Sequence, residues 1–311
     1  MTPAPRPRDC VVMFTHQWNP NLARHYARLQ REAGTVLPVF LVAHVDGEPL
    51  AGAPVDLVVS SADGEREWPL RHAGWLKAGG GHPSGHVDIL WLTALRHPRF
   101  AEFDRLWFVE YDVDFSGNWA RLFREASAYD ADLLASHLRT RDEQARWSHI
   151  PSVIDPQDDP ASQLFGMFCI ARMSRRLLDH WHSELSAPGW EGHFELLLPT
   201  IARRGGFSVE DLGGNGSFTP PGRRNRHYEG SFVGLHRGFF TYAFRPPRLW
   251  HYYADSRLGF WQRNYIYHPI KLDGTPRQRF RSRVMIFRDR IRAFLARCVG
   301  REPVPRALQK K

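Results

Sequence analysis

The chain has 311 residues, 42% of them apolar and 24% charged, enough for a large core and too apolar for a disordered chain. Cys10, Cys169 and Cys298 lie far apart and form no zinc spacing, which excludes zinc fingers and CxxC redox chemistry and fits a reducing cytosol. A net charge of +9 points to an anionic partner, and no apolar run reaches the ~18 residues that a membrane span needs.

Residues 1–9 are rich in proline and arginine, lack the apolar region of a signal peptide and are expected to be disordered. Val11 to Phe14 reads as a first buried strand. Asn19 and Pro20 then mark an N-cap and first helical position, and Leu22, Tyr26 and Leu29 recur at helical spacing. Between strand and helix stand Thr15, His16 and Gln17, where open α/β sheets bind ligands. They also read as a plain polar loop. Val36 to Ala43 and Val55 to Ser60 read as second and third strands, and the strand–helix–strand order implies parallel pairing. No GxGxxG follows the first strand, which argues against a glycine-rich dinucleotide site. Trp75 to His86 is a long glycine-rich loop without the Lys-Ser/Thr pair of a phosphate loop, so it is either a binding loop or a surface excursion. Val87 to Leu95 reads as the next helix.

Leu106 to Val109 is a short apolar run that leads straight into Glu110, Asp112 and Asp114. Carboxylates this close repel one another, and such a cluster calls for a cation or hydrogen-bond donors. Acids at i and i+2 suit a hard divalent ion that also takes oxygens from a phosphate. An idle exposed acidic turn is the plainer alternative. Ser116 to Asn118 supplies a turn and a cap for a helix opened by Trp119, Leu122 and Phe123.

An apolar strand ending in Asp-x-Asp, after alternating strands and helices, resembles the nucleotide-sugar-dependent glycosyltransferases of the GT-A fold. The string from Phe108 to Trp119 resembles in particular a poorly characterised glycosyltransferase-like group, in which the first Asp is the more dependable. The resemblance covers residues about 10 to 270. It implies an α/β, GT-A-like (Rossmann-like) domain over 10–272, with a mostly parallel central sheet flanked by helices and an aromatic-rich C-terminal extension. It also implies a divalent cation, Mn2+ or Mg2+, held by Asp112 and by Asp114. Donor contacts would come from Thr15, His16 and Gln17, from Lys77 and Asp88 around the glycine-rich loop, and from Glu110 and Tyr111.

Farther along, Ala131 to Ala135 reads as a strand, with His137 just past its end as a candidate neighbour of the site. Residues 141–162 read as a loop over the site. Phe165 to Arg172 reads as another strand, and Ser174 caps a helix carrying Leu177, Leu178 and Trp181. By resemblance this strand floors the donor and acceptor sites, where Gly166 would let a ligand approach the backbone. A strand of a second small sheet is the alternative.

If residues 189–200 are helical, Glu191 and Glu195 lie at i and i+4 and share a face. A transfer that inverts configuration needs a carboxylate within hydrogen-bond reach of the acceptor hydroxyl. The resemblance offers Glu191 or Glu195 for it, with Glu191 favoured because it follows Gly189-Trp190 at a helix start. Two solvated side chains are the alternative. Arg203 to Gly206 stops the helix and Phe207 to Val209 is a further strand.

Residues 228–270 are dense in aromatics, which either form an acceptor platform or wrap the sheet. Within them stands Tyr267-His-Pro-Ile-Lys271. Some GT-A enzymes recruit a late histidine to the metal and a lysine to the phosphates, roles that would fall to His268 and Lys271. Over 273–298 a basic amphipathic helix is expected, with Val284, Phe287, Ile291, Phe294 and Cys298 on one stripe and arginines elsewhere. Such a helix lies on an anionic membrane or packs its stripe on protein. The tail 299–311 is expected to be disordered.

The expected activity is transfer of a glycosyl group from a nucleoside diphosphate sugar to a hydroxyl of a glycan, lipid-linked or small-molecule acceptor. The expected location is cytoplasmic, with a candidate peripheral contact to the inner face of the membrane through 280–298. A nucleotidyltransferase would want a basic glycine-rich loop after the first strand, which Thr15 to Trp18 is not. A non-catalytic protein that binds nucleic acid or another anionic surface is favoured by charge alone. No recognition motif supports it, so no nucleic-acid partner is expected.

Overall fold

A computed structural model describes residues 8–77, 86–144, 147, 150–230, 241–242, 252–253 and 264–298. The first half runs β1 (Asp9–Thr15), α1 (Pro20–Ala33), β2 (Val39–His44), β3 (Leu57–Val59), α2 (Ser61–Glu67), α3 (Pro69–Lys77), α4 (Asp88–Arg96), β4 (Arg105–Glu110), β5 (Asp114–Phe115) and α5 (Trp119–Ala126). The second runs β6 (Leu133–Thr140), β7 (Leu164–Ser174), α6 (Arg175–Ser186), α7 (Phe194–Arg204), β8 (Val209–Asp211), β9 (Tyr252–Tyr253), β10 (Ile266–Tyr267), β11 (Ile270–Lys271) and α8 (Pro276–Cys298).

Seven strands form one mixed sheet in the order β3-β2-β1-β4-β7-β6-β8. All pairings are parallel except those of β7, which runs against β4 and β6. The expected α/β architecture, a mostly parallel sheet flanked by helices, is therefore what the chain forms. Alternation along the strands feeds two cores. Val12, Phe14, Leu106, Phe108 and Phe168 face a layer of α4, α6 and α7 that includes Trp91, Trp181 and Leu197. Val11, Met13, Trp107 and Val109 face α1 and α5, where they meet Tyr26, Leu29, Trp119 and Phe123. Both faces are covered, so every residue of β1 is buried.

Local chemistry sets the helix starts. Asn19 accepts from the backbone N–H groups of Asn21 and Leu22, with Pro20 in the first turn. Asn118 caps α5 and Ser174 caps α6 in the same way. Order begins earlier than expected at the N-terminus. The Arg8 amide donates to Asp104 Oδ2 at 2.7 Å, and Asp9 already pairs with Arg105 inside the sheet. Residues 1–7, the glycine-rich stretch 78–85 and the tail 299–311 lie outside the described residues.

The C-terminal extension is no appendage. Tyr228, Tyr242, Tyr267 and Ile270 are buried in the second core. β10 pairs antiparallel with β5, setting Ile266 against Phe115 and Tyr267 against Asp114. The Ile270 amide donates to the Asp112 carbonyl at 2.8 Å. The aromatics thus close the acidic loop from behind.

Candidate active site

Glu110 ends β4, and a tight turn through Asp112 follows, with the Val113 amide donating to the Glu110 carbonyl at 3.1 Å. The returning strand segment brings His268 onto this turn. Its Nε2 lies 3.5 Å from Glu110 Oε2 and 3.6 Å from Asp112 Oδ1. The imidazole is buried, whereas the carboxylates keep about 33% and 21% of their side-chain surface and so face an opening. Antiparallel register places Cys169 opposite Glu110, because Val109 pairs with Ile170. Ligand atoms of Glu110, Cys169 and His268 all fall within 4.8 Å of one another.

Burial pushes the Asp112 carboxyl up to about 6; His268 and Lys271 pull it back and Glu110 pushes it further up. Burial also drives the Cys169 thiol well up, assisted by Glu110, Glu195 and Asp112, so it stays a neutral thiol. The donor set fits a divalent cation. Two carboxylate oxygens stand about 3.5 Å from one imidazole nitrogen, too far for a good hydrogen bond yet near enough to share an ion.

His16 and Gln17 border the same opening. The exposed His16 ring stands edge-on to Tyr111 with centroids 5.1 Å apart. Gln17 hydrogen-bonds the Tyr111 phenol, whose proton is held chiefly by burial and then by Asp112 and Glu110. Thr15 turns inward: its hydroxyl donates to the Gln17 carbonyl at 2.7 Å and accepts from the Gln17 amide at 3.2 Å. Of the expected residues, His16, Gln17, Glu110, Tyr111, Asp112, His268 and Lys271 gather at the end of β4.

Asp114 does not join them, which corrects its expected place on the metal. It is fully buried, accepts from Arg28 Nη1 at 2.6 Å and from the Phe115 amide at 2.7 Å, and has His25 Nδ1 4.0 Å away. Arg28 also donates to the Phe115 and Gly117 carbonyls, so the pair pins α1 to the acidic loop. Asp88 is likewise engaged. It receives Arg71 Nη2 at 2.9 Å and Nε at 3.2 Å, while Arg71 Nη1 donates to the Gly192 carbonyl. Both groups are buried, so Asp88 ties α3 and α4 to the turn before α7 and offers nothing directly to a nucleotide.

Gly166 is also corrected. A Cβ there would stand 2.8 Å from Leu138 Cδ2, so the glycine serves close packing of β7 on β6 and leaves no approach for a ligand. Glu191 and Glu195 do not share a helix, because α7 begins at Phe194 with His193 as its cap. Glu191 instead bridges to Ile154 through its backbone and stands half exposed, 3.9 Å from Lys77 Nζ. Glu195 is buried near the cluster. Its Oε2 finds no hydrogen-bond partner among the described residues, and burial together with the Glu110 charge raises its carboxyl well above the ordinary value. His137 is buried against Phe165, and burial lowers its ring to about 3, so it is a neutral core group.

Sequence reasoning missed Cys169. Its place is fixed by β7 running against β4, and nothing in its spacing announces that.

No protein-family model and no curated protein matches the chain by sequence. Among solved structures it is similar to the mannosyltransferase Ktr4p of S. cerevisiae, at 10% identity and a TM-score of 0.32, over 59% of this chain and 61% of that one. The chain thus spans about three fifths of the yeast protein in that structure. The same enzyme in complex with GDP matches at 11% identity and a TM-score of 0.31, over 63% and 61% of the two chains. The galactosyltransferase LgtC, in complex with donor and acceptor sugar analogues, matches at 10% identity and a TM-score of 0.34, over 88% of this chain and 83% of that one.

Proposed function

We propose that the chain is a glycosyltransferase that moves a sugar from a nucleoside diphosphate donor to a hydroxyl of a glycan, lipid-linked or small-molecule acceptor. One observation carries the reading: Glu110, Asp112 and His268 converge at the carboxyl end of the central strand β4, with Lys271 close enough to lower the Asp112 carboxyl. In open α/β sheets that end is where ligands bind.

Asp112, His268 and Glu110 would hold a divalent cation, Mn2+ or Mg2+. When bound it supplies positive charge to a leaving diphosphate. Lys271, exposed beside Asp112, offers a second cation to the same phosphates. His16, Gln17 and Tyr111 form the wall on the β1 side, where they hold the nucleotide. Cys169 and the buried His268 close the floor and exclude water.

Of the two late glutamates, Glu195 is the better placed to act on a sugar hydroxyl, because it lies near enough to Glu110 to feel its charge. Burial favours its protonated form, and it accepts a proton from a hydroxyl only once ionised. Glu191, half exposed beside Lys77, suits a contact with the acceptor.

The test is a thermal-shift screen of sugar nucleotides with and without Mn2+, followed by turnover of whichever donor stabilises the protein. A cation-dependent shift with at least one donor, abolished in Asp112→Asn, is expected. No shift with any donor, or an undiminished shift in Asp112→Asn, overturns the proposal.

A further inference from the structure

Among the described residues, α8 buries one side against the body. Ser282 and Ile286 are buried there, Ile286 within the second core. The rest of the helix carries the most conspicuous exposed apolar surface among the described residues. Phe280, Val284, Phe287, Ile291, Phe294 and Leu295 are all exposed, Phe280 at 69% and Phe294 at 66%. At ~100° per residue the first five fall within an arc of about 80°, roughly opposite Ser282 and Ile286. A helix that packed its stripe on its own domain would turn these residues inward; α8 turns them out.

Charge says what covers them. The helix sequence holds eight arginines against the single Asp289. Arg277, Arg281 and Arg288 border one edge of the stripe and Arg283 the other, all exposed. An apolar strip between basic margins matches the interface of an anionic bilayer, where acyl chains meet phosphates. A second copy of α8 laid on the first would set arginine margin against arginine margin, and like charges at such a seam repel. Nucleic acid would use the arginines and leave the phenylalanines in water. No described helix is long and apolar enough to cross a membrane, so the helix would lie in the surface.

We propose that α8 is an interfacial helix that seats this protein on a membrane rich in anionic phospholipid. The inference stands whether or not the transferase reading holds. Length agrees with the role: 23 residues make a rod of about 34 Å, enough for four turns of apolar side chains to dip below the headgroups.

The test is co-sedimentation of the full chain with vesicles of phosphatidylglycerol and phosphatidylcholine, or of phosphatidylcholine alone. Binding to the anionic vesicles is expected, with at least tenfold less to the neutral ones and a fall at high salt. The triple change Phe280→Ser, Phe287→Ser, Phe294→Ser should cut anionic-vesicle binding at least tenfold. The pair Arg281→Gln, Arg288→Gln should weaken it about fivefold per arginine. Every changed residue is exposed, and an unshifted melting temperature checks that each variant folds. Failure to bind anionic vesicles, equal binding to both vesicle types, or full binding by the triple variant overturns the proposal. So does a dimer that forms without lipid and dissociates in the triple variant, or binding to random DNA that survives it.

Discussion

At the scale of single residues, two aspartates two positions apart have opposite fates. Asp112 faces His268 across 3.6 Å at an opening, and Asp114 is locked to Arg28 at 2.6 Å in the core. The Asp-x-Asp spacing was legible, but Arg28 stands 86 residues upstream and its meeting with Asp114 needs the packing of α1 on α5. Asp112→Asn is therefore expected to remove the stabilisation given by Mn2+ while leaving the apo fold intact. Asp114→Asn is expected to cost about 1–3 kcal/mol of stability by loosening its tie to the partly buried Arg28, which keeps Glu32 and two backbone carbonyls, and to leave a cation response in the folded fraction. Melting both variants with Mn2+ and with chelator separates them; the reverse pattern would move the cation to Asp114.

The pH response of the same residue has a definite sign. Asp112 is pushed up to about 6 in the fold, against an ordinary 3.8. Below pH 3.8 folded and unfolded chains both hold this proton, and the group contributes no difference. As pH rises toward 6 the unfolded chain ionises first, so folding loses stability, and the loss is complete above 6. In chelator, Asp112→Asn and the parent should melt together near pH 4, while the asparagine variant melts higher at pH 7. Mn2+ should erase that advantage at pH 7 by stabilising the parent alone. Identical melting curves for the two proteins across this range would contradict the burial assigned to Asp112.

At the scale of elements, caps and strand periodicity were readable. Asn19, Asn118 and Ser174 cap the helices expected of them, because a cap is a local hydrogen bond that the sequence writes out within three residues. The start of α7 was not readable. Gly192 has a φ of 107°, outside the helical region, and the helix waits for the His193 cap, which parts Glu191 from Glu195. Gly166 was read as a place where a ligand nears the backbone, and tertiary contact gives it to strand packing in the main sheet instead. Gly166→Ala should cost about 1–3 kcal/mol, since its new methyl would overlap Leu138 across the β6–β7 pair. Trimming the neighbour in the double variant Gly166→Ala, Leu138→Ala should return part of that loss, a coupling that a double-mutant cycle measures. Additive losses would mean that the two side chains do not meet.

At the scale of the whole molecule, the candidate site is made by chain segments that meet only after the sheet is built. The parallel half of the sheet was readable from its apolar runs; the reversal of β7 was not, because direction is set by which neighbours remain unpaired. The extension from residue 264 onward divides into two parts with different attachments. Residues 265–271 are tied to the acidic loop: the Ser116 amide donates to the Tyr265 carbonyl at 2.9 Å, the Ile270 amide to the Asp112 carbonyl at 2.8 Å, and β10 pairs with β5. α8 leans on the body through Ser282 and Ile286. A chain ended after Gly274 should therefore keep its Mn2+-dependent melting shift, because Glu110, Asp112, His268 and Lys271 are all retained. Loss of the buried Ile286 should lower its melting temperature by several degrees, in line with the ~2–5 kcal/mol of a truncated core aliphatic. The same shortened chain should no longer sediment with anionic vesicles. A truncated protein that folds yet loses the Mn2+ shift would show that α8 helps to build the site, and the proposed division into a site-bearing body and a separate membrane-seating helix would fall with it.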